Sequence, residues 1–196
     1  MGRNSTRNTR GAIISAAWKL FYEQGYENTT VEDIVFESET SKGSFYHYFE
    51  SKDALLGTLA YVFDEKYEQL MKELPPDMDA VEALTFLNRE LFTMIDDSIS
   101  IDLLARLLST QLLARGEKHL LDRNRYYFRL LRQIVSEGQK NGQLRTDMSC
   151  NDIVKAYALW ERALLYDWCL CGGEYSLSAY TERVTPGFLA GYTKNK

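Results

Sequence analysis

Few residues of this chain have the types and spacing that catalysis needs. Its 196 residues include two histidines, His47 and His119, and three cysteines, Cys150, Cys169 and Cys171. No serine, histidine and acid fall into a convincing triad, and neither a Gly-rich phosphate loop nor a His-Glu-x-x-His pattern occurs. Cys169-x-Cys171, with Cys150 and His119 elsewhere, raises a metal or redox centre, but a zinc site of the usual kind needs a second ligand pair at fixed spacing. Free thiols packed in helices are the commoner use of such cysteines. The expectation is therefore no enzyme activity, no cofactor and no metal. What remains is recognition, and one stretch concentrates it. Ser41-Lys42-Gly43-Ser44-Phe45-Tyr46-His47-Tyr48-Phe49 sets small residues and a cation beside a run of aromatic donors and acceptors.

Such residues need a rigid carrier, and the pattern around them predicts helices. Apolar residues recur at spacings of three and four almost throughout, with only three prolines to interrupt them. A first helix is expected over 6–24, with Ile13, Ala17, Leu20 and Phe21 on one face and Gly25 as its stop. Thr30 opens a short second helix holding Val31, Ile34 and Val35, and Thr30-x-x-Asp33 resembles a capping box with Asp in place of Glu. A third runs over 42–48. Ser51-Lys52-Asp53 begins a long fourth, with Leu55, Leu56, Leu59, Val62, Phe63, Tyr67, Leu70 and Met71 inward, until Pro75-Pro76 breaks it. Further helices are expected over 79–95, 101–114, 118–140, 151–170 and 176–192, the last kinked or split at Pro186-Gly187. The fold class is all-α: a three-helix head over 1–50 and a larger helical body over 51–196.

Composition narrows the setting. Hydrophobic residues at 45% and aromatics at 13% exclude a disordered chain. No apolar run is long enough to cross a membrane as a helix, so no membrane partner is expected. Met1 to Arg10 is polar and basic with no apolar stretch behind it, which reads against a secretory signal. An odd number of cysteines without a disulfide rhythm fits a reducing cytoplasm.

The head reads as a nucleic-acid binder. Gly43 and Ser44 keep one side of the third helix thin enough for a major groove, while Tyr46, His47 and Tyr48 offer hydrogen-bonding groups at base-edge depth. Phe45 and Phe49, four apart, would face the head's own core. Lys42 and Lys52 stand at helix starts, where backbone N–H groups also favour a phosphate. Thr30 serves as cap and phosphate contact together, and Arg3, Arg7 and Arg10 form a basic arm. Residues 1–50 nevertheless hold five Lys or Arg against seven Asp or Glu, a net of −2. Non-specific binding should accordingly be weak and salt-sensitive.

The segments Thr29-Thr30-Val31-Glu32-Asp33-Ile34, Ser41 to Phe49 and Ser51-Lys52-Asp53-Ala54-Leu55 together resemble the TetR family of bacterial transcriptional regulators over roughly residues 8–60. The resemblance implies a helix-turn-helix, a divergent ligand-binding body and a dimer formed as a four-helix bundle by the last two helices. One departure stands out: the family's turn carries Gly and then an apolar residue, whereas this chain has Glu39-Thr40. A left-handed Glu39 would cost about 1 kcal/mol or more.

The body is rich in aromatics, among them Tyr126, Tyr127, Phe128, Tyr157, Trp160, Tyr166 and Trp168. Helical spacing makes many of them core. Others are expected to line a cavity for a small apolar or aromatic effector, with Arg106, Gln111, Tyr126, Tyr127, Trp160 and Arg162 as its contacts. The run from Ile153 to Leu170 is apolar on more than one face, which suggests a partner chain. The expected function is a ligand-relieved repressor that binds a near-palindromic operator as a homodimer. The rival is a helical-bundle small-molecule or metal-binding protein, or an enzyme, using the body alone.

Overall fold

The computed structural model describes residues 3–75, 77–113 and 118–194, with side chains described for all of these except 3–8 and 113. Ten α-helices are described: α1 (Arg3–Gln24), α2 (Val31–Glu37), α3 (Lys42–Tyr48), α4 (Lys52–Leu56), α5 (Leu59–Glu73), α6 (Ala80–Ser98), α7 (Ile101–Leu113), α8 (Tyr126–Lys140), α9 (Cys150–Leu170) and α10 (Leu177–Ala190). A single 3-10 turn, His119–Leu121, precedes α8. Among the described residues the only β pairing is an isolated bridge of Leu144 with Thr193. No described helix is long and apolar enough to cross a membrane. The chain divides into two compact units, 1–60 with 106–120, and 61–105 with 121–196.

In the first unit, short-range signals set the helix ends. Gly25 takes φ 84 after α1, a left-handed conformation that glycine reaches without a Cβ clash. Thr30 and Asp33 form the reciprocal capping box at α2. At the other end of α2 the chain closes through Thr40 N–H to Val35 O (3.0 Å) and Glu39 N–H to Phe36 O (3.1 Å). This pair of hydrogen bonds is a Schellman closure, whose first donor residue takes a left-handed conformation. Glu39 supplies it at φ 51. Ser41 then caps α3 by accepting from Ser44 N–H. Ile13, Phe21, Ile34, Phe45, Phe49 and Leu55 are buried in this unit.

The long helix expected after Ser51 is instead two, α4 and α5. The Thr58 hydroxyl donates to Leu55 O (2.6 Å) and its own N–H turns to the same carbonyl (2.9 Å), tightening the chain where a helix would continue. Trp18 Nε1 holds that hydroxyl at 2.8 Å. Gly57 is required beside it, because a Cβ there would collide with the His119 ring.

The second unit is built on α6 against α10 and α8 against α9. The single helix expected over 118–140 starts only at Tyr126. Asp122 accepts the N–H groups of Asn124 and Arg125, making a turn. Asp64 then sits on the first turn of α8, accepting from Tyr126 N–H (3.2 Å) and Tyr127 N–H (3.3 Å). Asp96 does the same for α10, accepting from Leu177 N–H, Ser178 N–H and the hydroxyls of Ser176 and Ser178. The last helix is not split: α10 continues through Pro186.

Candidate functional site

The surface of α3 is where the aromatic run becomes a site. Phe45 and Phe49 are buried, with ring centroids 5.8 Å apart, and fix the helix to its unit. Lys42, Gly43, Tyr46 and His47 are exposed on the outer side, Tyr46 by 58%. Tyr48 is half-buried and meets the His47 ring edge-on at 4.7 Å. A Cβ on Gly43 would meet only Ser41 Oγ at 3.7 Å, so glycine here keeps the outer side thin rather than relieving a clash. Arg10 is exposed, with its guanidinium 5.5 Å from the Phe49 ring centre. The side chains of Arg3 and Arg7 lie outside the described residues.

Other expected contacts are already engaged. Lys42 pairs with Glu32, which raises the lysine pKa and lowers that of the glutamate through their hydrogen bond and mutual charge. Thr30 gives its hydroxyl proton to Asp33 (2.7 Å) and its N–H to the same carboxylate (2.8 Å), so both donors that a phosphate would need are taken. The Ser44 and Ser41 hydroxyls share a bond at 2.9 Å. Lys52, expected as a phosphate contact, folds inward: its ammonium donates to Tyr26 O (2.7 Å) and Thr29 O (2.8 Å) and lies 4.1 Å from the Tyr26 ring centre. It staples the turn before α2 to the start of α4.

The six expected effector contacts are divided between the two units. Arg106 belongs to the first unit, where it pairs with Glu27 and lies over the Tyr26 ring at 5.1 Å. Gln111, in the same unit, accepts from Leu120 N–H at 3.2 Å. In the second unit Tyr126 is half-buried beside Arg129, and Trp160 stacks on Phe188 at 4.6 Å, nearly parallel. Arg162 lines a cleft. Only Tyr127 enters the polar interior, donating its hydroxyl to Glu161.

That interior is a feature the sequence reading missed. Glu161 is buried and accepts from Asn88 Nδ2 (2.9 Å) as well as Tyr127, while Thr185 donates to Asn88 Oδ1 (3.3 Å) and Tyr157 to Leu84 O (2.7 Å). The Tyr67 ring lies tilted against Tyr127, with centroids 5.2 Å apart. Burial raises the pKa of Glu161 more than these donors lower it. Burial, then the Glu161 charge, pushes Tyr67, Tyr127 and Tyr157 well above their ordinary value. The available signal was an acid directly after the apolar stretch Ala156 to Trp160, four residues after a tyrosine. Beside this network Arg125 binds Asp64 through two bonds of 2.7 and 3.1 Å, both side chains being almost inaccessible.

The two-sided apolarity of α9 is met within its own unit. Val154, Ala158 and Leu165 are buried along with Ile153, Tyr157, Leu164 and Trp168, because α8 and α10 both pack on it. The exposed large apolar residues of α9 are Leu159, Tyr166 and Leu170. The three cysteines are free thiols, and burial pushes Cys169 up to about 11, far from a reactive thiolate. Among the described residues no three His, Cys, Asp or Glu side chains gather as a metal site.

Residues 13–59, which span the helix-turn-helix just described, match the profile of bacterial regulatory proteins of the tetR family. Over these residues the chain is similar to the TetR family. It is 45% identical over 60 residues to YuxN, an HTH-type transcriptional regulator of Bacillus subtilis. That alignment takes in 30% of this chain and 21% of YuxN, so the chain spans about a fifth of that relative's length. The whole fold is similar to a TetR-family regulator from Pectobacterium atrosepticum, with a TM-score of 0.74, 16% identity and coverage of 100% and 99% of the two chains. It is also similar to the regulator FadR from Bacillus subtilis, whose structure holds stearoyl-CoA, with a TM-score of 0.68, 20% identity and coverage of 93% and 98%.

Proposed function

We propose that this chain is a DNA-binding transcriptional regulator of the TetR type, a repressor that binds a near-palindromic operator as a homodimer and is released by a small apolar or aromatic effector. The observation that carries the reading is the division of labour on α3. Phe45 and the C-cap residue Phe49 are locked inside while Lys42, Tyr46 and His47 face out from a slender, capped helix. A helix held from behind and thin in front is what a major groove admits. Tyr46, His47 and Tyr48 read base edges and sugar-phosphate, Gly43 and Ser44 let the helix approach, and Lys42 exchanges Glu32 for a phosphate. The family match over residues 13–59 supports the same head.

The homodimer rests on α9 and α10, where Leu159, Tyr166, Leu170 and Tyr180 leave apolar surface exposed. Each protomer places one α3 on one half-site, so dimerisation and operator affinity are coupled. For the effector, the many aromatic side chains of the second unit support a ligand held mainly by apolar burial, and the FadR structure of similar fold holds stearoyl-CoA. Release requires only that the effector bind one of two dimer conformations a few kcal/mol more tightly than the other. Related proteins are named as transcriptional regulators, in keeping with a role without catalysis.

Fluorescence anisotropy on DNA from the protein's own upstream region, beside sedimentation velocity, tests this reading. Tyr46→Ala and Tyr48→Ala are each expected to weaken specific binding about tenfold to a hundredfold, as a lost base contact does, with helicity and dimerisation unchanged. Operator affinity that survives both substitutions overturns the assignment of α3.

A further inference from the structure

A cleft of about 360 Å³ opens in the second unit, between α9 and the segment running from the 3-10 turn into α8. Four cations line it: Arg123, Arg132, Lys155 and Arg162. No Asp or Glu does. Among the described residues none of the four reaches a carboxylate within ion-pair distance. The neighbouring acids are engaged elsewhere, Asp122 by Asn124 N–H, Asp152 by the Ser149 hydroxyl, and Glu161, which feels the Arg162 charge, by Asn88 and Tyr127 inside the unit. Arg132 donates to Arg123 O at 3.0 Å, which ties two of the cations together. The floor is apolar, made by Phe128, Val154 and Ala158.

This is an unusual concentration for a chain with 23 basic residues against 28 acidic ones. Like charges gathered without a counter-ion repel one another, and an anion that enters relieves them all at once. Three of the four are arginines, whose planar forks match phosphate oxygens two at a time. Two phosphate groups, each carrying about −1.5 to −2 near pH 7 when singly esterified, would balance four positive charges, whereas one would not. The cleft falls in the size range of small-molecule sites, which run from about 300 to 1,000 Å³, and its floor calls for an apolar portion beside the charged one.

We propose that this cleft binds a small molecule that carries two phosphate groups, or a diphosphate, joined to an apolar arm. The inference goes beyond the effector reading, with a different ligand chemistry, and rests on it only for the consequence at DNA; the binding itself does not depend on it.

Isothermal titration of the full chain at fixed ionic strength, with inorganic pyrophosphate and separately with stearoyl-CoA, provides the test. Both are expected to bind, stearoyl-CoA more tightly because it also covers the floor, and orthophosphate more weakly than pyrophosphate. The pair Lys155→Gln with Arg162→Gln on α9, and the pair Arg123→Gln with Arg132→Gln opposite, should each weaken pyrophosphate at least about tenfold, the loss of one or more charge-assisted contacts. Two pairs on separate elements keep the test decisive if one pair proves unfolded by circular dichroism. Failure of both probes to bind, or binding untouched by a folded variant pair, overturns the site. Anisotropy on operator DNA separates the two ideas. If stearoyl-CoA releases DNA equally from wild type and variants, the site falls and the repressor reading stands. If binding needs the cations but never releases DNA, the site stands and the effector reading falls.

Discussion

In the unit that carries α3, Lys42 meets Glu32 with 60% and 61% of the two side chains exposed, whereas in the other unit Arg125 meets Asp64 with only 5% and 11% exposed. Water screens the first pair, and its partners are free to be exchanged for others at little cost. The second has lost its hydration and depends on completeness, which it achieves: Asp64 accepts two guanidinium bonds and two backbone N–H groups. The same contrast holds for acids alone. Asp33 is exposed and held below the usual carboxylate range by Thr30, while Glu161 is buried and held above it. Exposed charge in this molecule is available for a ligand, and buried charge is committed to architecture.

The strongest way to break that contrast is at the buried pair. Asp64→Ala leaves the Arg125 guanidinium buried and uncompensated and should cost about 3–5 kcal/mol in a denaturant titration. A loss below about 1 kcal/mol would place this pair with the exposed ones. Glu161 offers a test by pH. Its folded pKa lies above the ordinary value, so the native state holds a proton that the unfolded state has released. Stability should then fall as pH rises from the ordinary glutamate value near 4.5 through the raised one, and level off above it. Glu161→Gln should flatten that stretch of the stability–pH curve; an unchanged slope would show that another group produces it.

Smaller effects are expected in the first unit. Glu39→Gly should stabilise it by about 1 kcal/mol by removing the left-handed strain, offset in part by the added freedom of the unfolded chain. Thermal melting of the two proteins reads the difference, and a destabilised Gly variant would mean that the Glu39 side chain contributes more than its backbone conformation costs. The smallest change is Glu32→Gln. Stability should hardly move, while DNA affinity rises a few-fold at low salt because Lys42 is freed and a repelling carboxylate is gone. Equal affinity at every salt concentration would remove Lys42 from the interface.

Much of the first unit was legible in the sequence, because its boundaries are written locally. Gly25, the Thr30–Asp33 box, the left-handed Glu39 and the span of α3 all depend on residues within a few positions of one another. The misread boundaries depend on distant partners. The chain breaks at Gly57-Thr58 where Trp18, 40 residues away, donates to the Thr58 hydroxyl. It starts α8 at Tyr126 where Asp64, 62 residues away, accepts the N–H. Lys52 shows the same limit at the level of one side chain. A lysine at a helix start reads as a surface charge until the carbonyls of Tyr26 and Thr29 are known to lie beneath it. The Glu161 network was hidden for a related reason: its members come from α6, α8, α9 and α10, and no local pattern links them.

The carboxylate of Asp96 on the first turn of α10 has a consequence during synthesis. It joins residues 80 to 82 positions apart, and a helix as short as α10 has little stability before it docks. A ribosome adding ~5–20 residues per second needs ~4–16 s to make a stretch of that length. For those seconds the face of α6 that α10 will cover has emerged without its mate. The nascent chain therefore passes through a state with an uncovered apolar groove, whose lifetime is set by translation speed rather than by any barrier of its own. Slower codons between α6 and α10 would lengthen the exposure, and a chaperone that grips apolar segments would find its longest opportunity there.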